Sequence, residues 1–185
     1  MESASDNATT PLIFGATAIH TLRRAMEQRI GGETATILQE AGYASGNELY
    51  DHFTAWLPTR TGVVDPGDLD VEKVAEVLSS YLREAGWGTV ELENIGESVV
   101  VLTSSDWAEA DATLDATHPS CFFSTGMLTA FMSRISDAAI AAMEVDCRSQ
   151  QNHERCTFLL GAHETLQAVY NAIFEGRDYR SVFTS

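Results

Sequence analysis

The sequence predicts an α+β fold, an antiparallel sheet of two strand pairs covered by helices. Two observations lead there. Apolar residues recur at helical spacing near both ends and in the middle of the chain, and between those stretches the period changes twice to strand-like patterns. The resulting order of helices, strand pair, helix, strand pair and helix suits α+β rather than alternating βαβ units. At roughly 150 residues per domain, 185 residues point to one domain over residues 11–185 behind a flexible polar tail at residues 1–10. A core of that size needs no disulfides.

The elements follow in order. Ile19, Leu22, Met26 and Ile30 trace a first helix that Gly31-Gly32 ends. A second helical stretch from Glu33 carries Ile37, Leu38, Leu49, Phe53, Trp56 and Leu57. Gly42 and Gly46 leave open whether it is one helix or two, and Pro58 is expected to stop it. The segment from Thr59 to Asp68 reads as a linker with a Pro66-Gly67 turn. Asp70 caps a helix through Val71, Val74, Leu78, Tyr81 and Leu82, closed by Gly86. Thr89 to Glu93 alternates, Asn94-Ile95-Gly96 turns the chain, and Ser98 to Thr103 is a continuous apolar strand. An acidic loop with Asp106, Glu109, Asp111 and Asp115 reads as solvated and leads to His118-Pro119-Ser120-Cys121, after which Phe123, Met127, Phe131 and Ile135 mark a helix. Ala138 to Asp146 and Thr157 to Leu160 form the second strand pair, and Leu166, Val169, Tyr170, Ile173 and Phe174 the last helix, closed by Gly176.

The formal net charge is −16, and the cations, with Lys73 the single lysine, are scattered. Nucleic acid and anionic membrane surfaces are therefore disfavoured partners, because both are held by clustered cations. No run reaches the ~18 apolar residues of a membrane span, and the start is polar and acidic, so a cytoplasmic location is expected. Three cysteines, an odd number, argue against a secreted disulfide framework.

Those cysteines carry the chemistry. Cys147 and Cys156 flank an eight-residue loop between predicted strands, and Cys121 sits where the Pro119 loop enters a helix. Glu144 lies three residues before Cys147. Three thiolates and a carboxylate would fill a closed tetrahedral site for a borderline-soft ion such as zinc, leaving no position for a reacting water. Glu144 and Cys147 have opposite parity on an ideal strand, so a shared site requires a bulge or strand end between them. On spacing alone, inert core thiols are the favoured reading, because C-x8-C is no standard zinc knuckle and free cysteine is commonly buried. His118 and His153, each three residues before a cysteine, are alternative fourth ligands. A Cys121 nucleophile with His118 as base lacks a third, orienting group.

From Gly42 to Leu160 the chain resembles the 4-vinyl reductase (4VR) domain family. Its members include effector-sensor domains of aromatic-responsive bacterial activators and an accessory protein of bacteriochlorophyll synthesis, and its fold is shared more distantly with small TRAPP vesicle-tethering subunits. The matching residues are Glu40-Ala41-Gly42-Tyr43-Ala44-Ser45-Gly46, Leu82-Arg83-Glu84-Ala85-Gly86-Trp87-Gly88, Cys121 followed by Gly126, and above all Met143-Glu144-Val145-Asp146-Cys147 with Cys156-Thr157-Phe158. The resemblance implies that Cys121, Glu144, Cys147 and Cys156 bind zinc. It also implies a homodimer with an apolar pocket for a small hydrophobic or aromatic ligand between sheet and helices. Tyr81, Trp87, Phe122, Phe123 and Phe131 are the aromatics expected to line that pocket. The phenol-type sensors fix their effector with a histidine and a tryptophan; only Trp87, Trp107 and His118 fall between the linker and Cys121, with no clear counterpart among them, so a phenolic ligand is not implied.

The expected function is a stand-alone sensor or carrier of a small molecule, not an obvious enzyme, whose output passes through a protein partner. Two alternatives stand beside it. One is an accessory protein of tetrapyrrole or bacteriochlorophyll biosynthesis; the other is a non-catalytic dimeric interaction module.

Overall fold

A computed structural model describes residues 14–183 apart from residue 97. The expected tail, residues 1–10, lies outside the described residues. Among the described residues five α-helices and four strands follow one another as α1 (Ala16–Ile30), α2 (Thr34–Thr61), α3 (Val71–Glu84), β1 (Glu91–Ile95), β2 (Val99–Ser104), α4 (Phe122–Ser136), β3 (Ala141–Asp146), β4 (Cys156–Gly161) and α5 (His163–Phe174). A 3-10 segment, Tyr179–Phe183, follows α5 and has no counterpart in the sequence reading. The α+β class, the element order and the Asp70 cap, whose side chain accepts the Glu72 N–H, agree with expectation.

The two hairpins do not stand apart. β2 pairs antiparallel with β4, so the strands form one sheet in the order β1-β2-β4-β3. Alternation then sorts side chains to two faces. Leu102, Cys156, Phe158 and Leu160 join Phe53, Leu57, Leu78, Tyr81, Leu82, Met127, Leu128 and Phe131 of α2, α3 and α4 in the larger core. Val99, Val101 and Leu159 face the other way, against Leu166 and Val169 of α5 and partly buried Tyr179, Val182 and Phe183. Covered on both faces, β4 is buried along its whole length.

α2 is a single helix of 28 residues. Gly42 and Gly46 do not interrupt it, because they serve its packing. A Cβ at Gly42 would lie 2.0 Å from the Phe123 carbonyl oxygen, and one at Gly46 2.3 Å from that of Met127. Gly126 of α4 answers them, its missing Cβ 2.0 Å from the Gln39 carbonyl oxygen. The backbones of α2 and α4 thus touch along a seam of glycine, and Cys121 stands at the start of α4. Pro58 does not stop α2 either. It lies in the last turn, where a missing N–H costs one bond, and the helix ends at Gly62, whose N–H donates to the Pro58 carbonyl.

α1 departs most from its sequence reading. Leu22 and Ile30 are exposed, while Arg23 is fully buried. None of the described helices is long and apolar enough to cross a membrane.

Candidate metal centre

β3, β4 and the start of α4 bring four donors together. Cys121 is the residue before the first turn of α4, carried there by the His118-Pro119-Ser120 loop. Glu144 is paired with Phe158, which puts it on the face of the sheet covered by α2, α3 and α4. The register then shifts, so that Asp146 rather than Val145 pairs with Thr157. This is the bulge the parity argument demanded. Val145 and Asp146 share one partner position, and Cys147 returns to the face that carries Glu144 and Cys156.

The donor atoms of Cys121, Glu144, Cys147 and Cys156 all lie within 4.8 Å of one another. The Cys121 and Cys147 sulfurs are 3.6 Å apart, close to the ~3.8 Å edge of a tetrahedron with metal–sulfur bonds of about 2.3 Å. The three cysteines are fully buried and free of disulfides. The Cys121 N–H donates to Glu144 Oε2 at 2.8 Å, and the Ser149 N–H to the Cys147 sulfur at 3.4 Å. Glu144 Oε1 is buried without a hydrogen-bond partner among the described residues. An orphaned carboxylate oxygen beside three converging thiols fits a cation.

The electrostatics agree. Burial pushes the Cys121 thiol well up, and burial together with the Cys147 charge pushes Glu144 up to about 9. Hydrogen bonds from the other two thiols and from Ser149 hold Cys147 far below an ordinary thiol. The bare cluster therefore holds one negative charge easily and four only with difficulty. A divalent cation removes that obstacle.

His118 and His153 lie outside the cluster. His118 sits beside the Thr117 hydroxyl and the Phe122 ring, and His153 pairs with Asp146.

The acidic loop before Cys121 is not the solvated loop expected. Glu109 has no exposed surface; its carboxylate accepts the Phe123 and Ser124 N–H groups and the Ser124 hydroxyl, so it caps α4 from outside the helix. Trp107, also buried, donates its indole N–H to the Ser124 hydroxyl at 2.8 Å. Asp111 is gripped by Arg24 and bonded by Thr113, and His20 reaches the Ala108 carbonyl at 3.0 Å. α1 and the loop are thereby tied together. Sequence reasoning passed over Arg23, read Glu109 as solvated and found no role for Trp107. One signal was present: Arg23 shares a helical face with Ile19, Met26 and Ile30, an odd place for a solvated cation.

Burial pushes the Glu109 carboxyl up to about 7, against its bonds to Ser124 and Phe123 and the nearby Arg23 charge. A folded value above the unfolded 4.5 means that the folded chain keeps this proton longer. Stability from this group is then complete below pH 4.5 and falls as pH rises to about 7, by ~3 kcal/mol in all. Asp111 acts oppositely. Although burial raises its carboxyl, Thr113 and Arg24 hold it well below 3.8, so its contribution is lost only in stronger acid. Urea titrations from pH 4.5 to 7.5 are expected to show a decline in the wild type that Glu109→Gln flattens; parallel profiles would remove Glu109 as the cause.

The aromatics expected to line a pocket fall into separate places. Tyr81 and Phe131 stack at 6.0 Å inside the core with Phe53, and the Tyr81 hydroxyl donates to the Leu49 carbonyl. Trp87 stacks on Phe123 at 5.8 Å and meets Trp107 at 5.7 Å. Phe122 lies apart, against His118. Two surface hollows of about 370 and 420 Å³ are lined by none of the five.

No family model and no curated protein matches the chain at the level of sequence. Solved structures do match. The phenol-responsive sensory domain of the transcription activator PoxR, crystallised with phenol, superposes with a TM-score of 0.63 at 18% identity, over 83% of this chain and 77% of that one. The chain has the fold of that sensory domain. A vinyl-4-reductase family protein from Methanocaldococcus jannaschii matches with a TM-score of 0.52 at 15% identity, over 83% of this chain and 84% of that one.

Proposed function

We propose that the chain is a small-molecule-binding domain, a sensor or carrier, built around a structural zinc ion held by Cys121, Glu144, Cys147 and Cys156. The observation that carries this reading is the convergence of three buried thiols and an orphaned carboxylate oxygen from three successive elements, the start of α4, β3 with its end, and β4. The donor set favours a borderline-soft ion, and with all four positions taken by protein the ion holds structure rather than reacts. When bound it would fasten the start of α4 to the hairpin.

The ligand in this reading is a hydrophobic or aromatic molecule. Support comes from the fold, shared with a domain that responds to phenol, and from the aromatic interior between helices and sheet. Trp87, partly exposed and stacked on Phe123, stands at the edge of that interior. Homodimerisation and a cytoplasmic location belong to the same proposal. The charge of −16 keeps nucleic acid and anionic membranes off the list of partners.

Mass spectrometry of metal in protein purified under reducing conditions without added zinc tests the centre. About one zinc per chain is expected; a folded, metal-free protein would return the cysteines to the core. Melting-temperature screens with aromatic and apolar compounds test the ligand, because a molecule that binds only the native state must raise the midpoint. The likeness to a vinyl-4-reductase family protein favours a second reading, an accessory protein of tetrapyrrole or bacteriochlorophyll synthesis. Pigment that co-purifies with the chain would select it. A dimer whose melting no compound shifts would instead select the interaction module.

A further inference from the structure

Arg23 is a buried charge that the zinc reading does not use. It has no exposed surface, and it projects from α1 toward the segment that delivers Cys121. Its Nη1 donates to the Ser120 carbonyl at 3.1 Å and lies 3.4 Å from the Ser120 hydroxyl. Nε and Nη2 are buried with no hydrogen-bond partner among the described residues, and Glu27 Oε1 stands 4.0 Å from Nε. An under-partnered guanidinium in the interior is costly, by several kcal/mol, unless negative charge lies nearby.

Besides Glu27, 37% exposed and therefore screened by water, two sources of such charge are within reach. Glu109 is one, but its carboxylate already accepts two backbone N–H groups and a hydroxyl at the start of α4. The Cys3Glu cluster is the other. Ser120 immediately precedes Cys121, and its hydroxyl lies 4.0 Å from the Cys147 sulfur, so one residue bridges the guanidinium and the donor set. Four anionic donors around a divalent cation leave two negative charges in excess. They sit in a region where every cysteine is fully buried and water cannot screen them.

We propose that Arg23 is the counter-charge of the Cys3Glu centre, a positioning residue on α1 that acts through Ser120 to stabilise the ionised, metal-loaded state. The inference rests on the zinc reading and adds to it a partner outside the ligand set. The surroundings of a metal site commonly change affinity 10- to 100-fold without touching the ion. A guanidinium that only packed the core would instead stabilise loaded and metal-free protein alike.

The test is zinc affinity by competition with a chromophoric chelator at one pH, paired with melting of the metal-free proteins. Arg23→Met keeps length and loses charge. It is expected to bind zinc at least ~10-fold more weakly than wild type, while its metal-free form melts no lower. Arg23→Lys retains the charge and is expected to stay within about 3-fold of wild type. Glu109→Gln, which removes the other anion but keeps an amide oxygen to accept at the start of α4, is expected to weaken zinc clearly less than Arg23→Met. Should Arg23→Met not fold, Arg23→Gln serves as the neutral variant. Unchanged affinity in the neutral variant, or an equal loss in Arg23→Lys, overturns the counter-charge while leaving the zinc centre standing. Wild-type protein that binds no zinc overturns the centre and this inference with it.

Discussion

Stripping zinc with a strong chelator, or replacing Cys147 by serine, is expected to lower the melting midpoint by about 10 °C or more. The reasoning starts from what the ion would join. Cys121 begins α4, Glu144 and Cys147 straddle the bulge of β3, and Cys156 opens β4, so the four ligands fasten a helix start to both strands of a hairpin. In small zinc peptides such a site supplies some 10–16 kcal/mol and the whole fold with it. Here the glycine seam and two apolar cores exist besides the centre, so only part of that sum, about 4 kcal/mol, is expected. For a chain of this size each kcal/mol moves the midpoint by roughly 2–4 °C. Cys121→Ser is expected to behave alike, with zinc lost from both variants. A midpoint that neither chelator nor substitution moves would leave the cysteines as ordinary core.

Gly126→Ala is expected to be as damaging, for an unrelated reason. The added methyl would stand 2.0 Å from the Gln39 carbonyl oxygen and 2.8 Å from the Tyr43 nitrogen, both backbone atoms of α2. No rotamer change relieves such a contact, so the helices must separate. Overpacking of a tight core costs about 1–3 kcal/mol, and a clash of backbone on backbone belongs at or above the upper end. Gly42→Ala meets Phe123 in the same way. Gly32→Ala, where nothing lies within 4 Å, provides the control and is expected to be neutral by urea denaturation. Equal midpoints for Gly32→Ala and Gly126→Ala would mean that α2 and α4 have room to part. Because α4 starts at the metal centre, the Gly126 variant is also expected to weaken zinc retention.

Much of this molecule was legible from local pattern. Asp70 before an apolar run, Gly86 after one, and the change of period that begins at Thr89 mark features that form from their own neighbours. The cysteine pattern was legible too, because strands flanking an eight-residue loop can scarcely avoid bringing Cys147 and Cys156 together. Even the bulge was implied, since Glu144 and Cys147 could share a face only if the pleat slipped by one.

Other features escaped because their cause lies across the molecule. Gly42 and Gly46 read as interruptions of a helix when considered alone; opposite Phe123 and Met127 they are what lets α2 and α4 meet. Glu109 in an acidic run resembles any solvated carboxylate until the start of α4 arrives to accept it. Arg23 and Leu22 are adjacent, and helical spacing assigned the apolar one to the core, yet it is the arginine that is buried, donating to the Ser120 carbonyl in the loop before Cys121. Local spacing determines which elements form and which faces they offer, because backbone hydrogen bonds and side-chain direction repeat over a few residues. Which face is buried, and what a buried charge answers, is settled only when distant segments pack, because desolvation is shared between both partners of a contact.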